Sequence, residues 1–102
     1  MMIRKSKQEI ESDFMRAIDQ AQELEHLAND LSRIANSGVE SAILVLKNNW
    51  RGDTGESMEV AGKKTISDIY RTADDLVRVA KSIRLTADLV YQAEKKASGI
   101  CF

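Results

Sequence analysis

Few residues in this chain of 102 could do chemistry, and they do not cluster. The single histidine, His26, sits between Glu25 and Leu27; with Glu23 or Asp30 at helical spacing it offers two metal ligands, a weak site on an exposed face. No serine or cysteine is arranged with it as a nucleophile pair would require. The single cysteine, Cys101, excludes an internal disulfide and a multi-cysteine zinc site; it reads as a buried or idle tail thiol, with intermolecular oxidation as the alternative. Lys64, Arg71 and Arg78 recur every seven residues, the spacing of a candidate nucleic-acid-binding edge, but Asp68 and Asp75 stand four residues after Lys64 and Arg71, so the line reads as an ion-pair lattice on a solvated face. The net charge of -1 supplies no field for nucleic acid or an anionic membrane. The residues predict no enzyme, cofactor or metal site, no nucleic-acid partner and no stable membrane insertion, since no apolar run approaches the ~20 residues of a membrane span. The amino terminus lacks the basic-apolar-small pattern of a signal peptide, so any export is expected to bypass the general secretory route. A different kind of feature remains: Trp50-Arg51-Gly52, the only tryptophan, at the midpoint of the chain.

The elements that position this tripeptide are helices. The sequence has no proline, five glycines, 30% charged residues and 5% aromatics, a composition for long helices in one small all-α domain spanning 1–102. Helix 1 is expected over about 7–48, opened by a capping box of Ser6 with Glu9. Its seam runs Ile10, Phe14, Ala17, Ala21, Leu24, Ala28, Leu31, Ala35, Gly38, Ala42, in alternating steps of four and three. Helix-compatible sequence breaks at about 49–53. Helix 2, about 54–97, restarts behind Asp53, with Glu56 in a second capping box, and carries Gly62, Ile66, Ile69, Ala73, Leu76, Ala80, Ile83, Ala87 and Val90 on the same spacing. Gly99 suits a helix C-cap ahead of an apolar tail.

Folding the chain back at Gly52 aligns the two seams. Ala21 then meets Ile83, Leu24 meets Ala80, Ala28 meets Leu76, Leu31 meets Ala73, Ala35 meets Ile69 and Gly38 meets Ile66, nearly every layer matching large with small. Residues 8–30 carry seven acids against Arg16, while Arg71, Arg78, Lys81, Arg84 and Lys95 lie on the opposed stretch, which favours the same register. Ile18, Leu27, Ile34 and Ile43 on helix 1, with Tyr70, Val77 and Tyr91 on helix 2, widen the apolar sector to roughly 200°, about twice what one partner helix covers. These seven are the expected dimer-interface residues. The simplest cover is a second hairpin, giving a four-helix bundle from a homodimer or from a heterodimer with a similar chain. Leu85 and Leu89, one turn apart on the back of helix 2, form a smaller exposed pair.

A proline-free hairpin of about a hundred residues with W-x-G at its tip resembles the WXG family, the small early-secreted-antigen-type proteins of type VII secretion systems. The resemblance covers essentially the whole chain and rests on Trp50 and Gly52 at the midpoint of two matched, alanine-rich seams. It implies a dimer of hairpins that is cytoplasmic before export and leaves the cell folded, without a signal peptide, for the exterior or the cell surface. It also implies a composite signal joining the tip to a Y-x-x-x-D/E motif after helix 2. Here Tyr91 is followed by Gln92, Ala93, Glu94 and Lys95, so the acid stands at the third position and a lysine at the fourth. Tyr70 with Asp74 fits the letters but lies mid-helix. The same resemblance admits a second role: a targeting partner for the helical amino-terminal domain of a larger secreted toxin, with the secretion ATPase as a further partner. A free-standing coiled-coil scaffold is the reading outside the family, and it leaves the tryptophan at an exposed turn unexplained.

Overall fold

In a computed structural model of the chain, residues 5–49 and 53–99 are described, the side chains of 53–55 excepted. The architecture is all-α, a helical hairpin: α1 spans Lys7–Arg33, a π-helical segment spans Ile34–Val39, α2 spans Glu40–Asn49 and α3 spans Asp53–Ser98. The backbone falls into two compact units, Met1–Glu25 with Arg78–Phe102, and His26–Val77. In each, a stretch of α3 supplies one of two helical partners.

The start of α1 follows from its capping residue. The Glu9 N–H donates to Ser6 Oγ at 3.1 Å, and the hydroxyl in turn donates to Glu9 Oε1 at 3.3 Å, so a first-turn donor without an intrahelical partner is satisfied. At the other end Gly99 takes φ +66°, the left-handed conformation that closes a helix, and its N–H reaches the Lys96 carbonyl at 3.4 Å. α3 begins one residue earlier than expected, at Asp53; the capping role assigned to the Asp53 side chain lies outside the described residues.

Among the described residues the fully buried side chains are Ile10 and the alanines 21, 28, 35, 73 and 80. In each expected layer from Ala21–Ile83 to Ala35–Ile69 the alanine is sealed and its large partner is half-buried. The cause is geometric. With only one helix to pack against, an alanine is small enough to be sealed, while a larger residue at the same depth keeps its far side in water. Leu24, Leu31, Ile69, Leu76 and Ile83 all show this half-exposure.

The 4-3 spacing of helix 1 does not continue unbroken as the sequence predicted. Ala35 is buried, but Gly38 and Ala42, the next seam positions, are exposed, and Val39, Ile43 and Leu46 turn inward instead. The π-helical segment explains this: its wider turn holds one residue more than an α-turn, so everything beyond it is displaced by one position along the seam. Arg33 and Glu40 flank the segment with ordinary helical dihedrals, so α1, the segment and α2 follow one another without a break. Ser37 Oγ donates to the Arg33 carbonyl at 2.8 Å, the acceptor that a plain α-turn would give to the Ser37 N–H. Tyr70, on α3, donates its hydroxyl to Asn36 Oδ1 within the widened turn. Gly38, expected to meet Ile66, is therefore exposed, and Ile43 sits over Gly62.

Candidate functional site

Trp50 and Gly52, the recognition tip expected from the sequence, lie outside the described residues, as does Cys101. The helices on either side of Trp50 and Gly52, α2 and α3, are described. Between α2 and α3 runs an open, largely apolar groove of about 390 Å³, whose lining includes Val39, Ile43, Leu46, Met58, Ala61 and Gly62. Gly62 lets α2 and α3 approach closely here: a Cβ there would stand 2.5 Å from both Cδ1 and Cγ1 of Ile43. One edge is bridged by Glu59, which accepts from Lys47 on α2 at 3.5 Å and pairs with Lys63, one turn along α3, at 3.2 Å. The hydrogen bond from Lys63 and the charge of Lys47 hold the Glu59 carboxyl below its ordinary range.

This part of the molecule leaves much apolar surface uncovered. α2 is the sequence Glu-Ser-Ala-Ile-Leu-Val-Leu-Lys-Asn-Asn and has no fully buried residue, with Leu44 60% and Val45 57% exposed. Val60 and Ile34 are also exposed.

Of the expected interface residues, Leu27 and Ile34 are each 52% exposed, while Ile18, Ile43, Tyr70, Val77 and Tyr91 are half-buried. Ile43 packs on Gly62 rather than lying on a flank, and Tyr70 is tied to Asn36. Leu85 and Leu89 are both exposed.

Tyr91 and Glu94 belong to the other unit. The Tyr91 ring lies 4.7 Å from that of Phe14 on α1, tilted by 35°, and Lys95 Nζ stands 5.4 Å from its centroid, within cation-π range. Tyr91 thereby takes the inward place that the spacing assigned to Val90, which is 48% exposed. Glu94 is half-buried and accepts from Lys5 Nζ at 3.1 Å; the same ammonium donates to Asp13 Oδ2 at 2.8 Å. Sequence reasoning missed Lys5. No periodicity could have revealed it, because it precedes the first helical residue and acts through a long side chain. Its hydrogen bonds to Asp13, then Glu94, raise the Lys5 pKa above its ordinary value, and the bond from Lys5 lowers that of Asp13. The linkage is therefore present between the two titrations. It is lost as pH falls through the lowered Asp13 range, and again as pH rises through the raised Lys5 range.

A further ion pair crosses the same unit: Arg84 donates to Glu25 Oε1 at 2.5 Å. This pair has the expected polarity, acid on the first arm and base on the second. Lys5–Glu94 and Lys47–Glu59 run the other way, with their bases outside the acidic stretch 8–30.

His26 is exposed, and among the described residues no three of His, Cys, Asp and Glu stand close enough to hold a metal ion. Among them, too, no helix is long and apolar enough to cross a membrane. The fold is thus an all-α hairpin whose notable surfaces are apolar or ionic. No protein-family model, curated protein or solved structure matches the chain.

Proposed function

We propose that the protein is a non-enzymatic component of a type VII secretion system, exported folded as a dimer of helical hairpins. The observation that carries this reading is the uncovered apolar surface: alanines seal the helix pair, large residues are half-wet, and α2 buries nothing fully. A second hairpin laid against that surface completes a four-helix bundle. Trp50 and Gly52 form the tip read by the secretion machinery, and Tyr91 with Glu94 supplies the second half of the signal, brought toward a partner's tip by antiparallel pairing. The protein resides in the cytoplasm until export.

One observation favours the role of targeting partner for a larger secreted toxin. Tyr91 and Glu94 are both engaged within their own chain, Tyr91 with Phe14 and Glu94 with Lys5. A hairpin whose own second signal is so engaged, with apolar surface to spare, suits a complex in which the toxin supplies that signal.

Export separates the roles. In the native host, Trp50→Ala is expected to abolish appearance of the chain outside the cell while its cellular level holds. Tyr91→Ala does the same if the chain carries its own signal, and leaves export of a co-purifying large polypeptide intact if the chain is an adaptor. Unchanged export of Trp50→Ala would remove the tip from the mechanism.

A further inference from the structure

We propose that Lys5 is an ionic clasp that holds the last turns of α3 against α1 and so controls access to Tyr91 and Glu94. The juxtaposition is specific. One ammonium bridges Asp13, on α1, and Glu94, on α3, at 2.8 and 3.1 Å. One helical turn nearer the middle of the unit, the Phe14 and Tyr91 rings stack. Beyond Ala87 the heptad of α3 gives way: Val90 is exposed, and the inward positions pass to Tyr91, Glu94 and Ser98. Those residues are larger or more polar than the alanines of the middle layers, and among the contacts that hold this end are buried Ile10, the tilted Phe14–Tyr91 ring pair and the clasp.

Lys5 is suited to release. It precedes α1, so swinging its side chain away breaks no helical hydrogen bond. The Ser6–Glu9 cap, one residue on, fixes where the helix begins and hence where the ammonium can reach. Lys5 and Asp13 side chains are each 45% exposed, so water and salt compete for the bridge. A partner that brings its own cation to Glu94 displaces Lys5 and frees the end of α3 without unfolding the rest of the hairpin. The closure stands on geometry alone; its role in recognition rests on the proposed function of Tyr91 and Glu94.

The test is amide hydrogen exchange over residues 88–98 of the full chain, comparing wild type, Lys5→Ala and Lys5→Arg. At low salt, Lys5→Ala is expected to exchange roughly two- to fivefold faster than wild type in this segment, with the amides around Ala80 unchanged. Lys5→Arg keeps the wild-type rate. At about 0.5 M NaCl the wild type is expected to approach Lys5→Ala, which itself does not respond. Equal rates in wild type and Lys5→Ala, or an equal salt response in both, overturn the clasp whatever export shows. Faster exchange in Lys5→Ala combined with normal export of Tyr91→Ala supports the clasp and overturns its role in recognition.

Discussion

Ile10→Ala is expected to destabilise the protein by about 2–4 kcal/mol, a large share of the roughly 5–15 kcal/mol that holds a small domain together. Ile10 is 2% exposed and is the one side chain larger than alanine among the fully buried described residues. Removing its outer carbons forfeits their transfer from water and leaves a cavity that helix backbones cannot easily collapse to fill. The alanine layers offer no comparable loss, because they have no carbons beyond Cβ to remove. Urea denaturation followed by helical circular dichroism, at fixed protein concentration so that any association cancels, measures the change. A loss below about 1 kcal/mol would mean that the terminal end of the hairpin is not packed as described.

Gly62→Ala is the second large effect, and its sign opposes intrinsic propensity. In an exposed helix interior the change gains about 1 kcal/mol, because glycine spends more backbone entropy on folding. Here the added methyl would stand 2.5 Å from two carbons of Ile43. Moving Cδ1 alone does not relieve this, since Cγ1 is equally close, and the β-branched side chain has one strongly preferred χ1 in a helix. Either Ile43 leaves its rotamer or the arms separate, at about 1–3 kcal/mol. The net expectation is a loss of about 1 kcal/mol. A double-mutant cycle isolates the cause: in an Ile43→Ala background, Gly62→Ala is expected to become neutral or stabilising. A stabilising single variant would show that α2 and α3 do not approach so closely.

These two residues also show what was legible in the sequence. The cap at Ser6 could be read because a serine three residues before a glutamate has a local mechanism that tertiary packing does not alter. The alanine–large layers could be read because a heptad fixes which residues face inward as long as the helix remains α. Gly62 reads from the sequence as a seam residue of helix 2, but Ile43, read on a flank of helix 1, was not expected against it, and the reason lies in the π-helical segment. A π-turn leaves no periodic signature when the displaced positions are Gly38 and Ala42, residues small enough to suit either face. The signal lay in size: Val39, Ile43 and Leu46 are large, and weighting them above a strict count would have located the extra residue between Ala35 and Val39. Tyr91 was hidden similarly, since Val90 fits the count and the ring fits the space beside Phe14. Lys5 was illegible because a long cationic side chain ahead of a helix can reach several acids, and only the folded backbone selects Asp13 and Glu94. Trp50 to Gly52 read from the sequence as a break in helix and lie outside the described residues.

The proposed second hairpin would cover the apolar surface that one hairpin leaves exposed. Light scattering on the purified protein, with thermal unfolding of the same sample, tests it most directly. The expected mass is twice the 11.4 kDa of the chain, with a melting temperature that rises with concentration, or else a loosely folded monomer that gains a cooperative transition when its partner hairpin is added. A monomer of 11.4 kDa that unfolds cooperatively at a concentration-independent temperature would contradict the account.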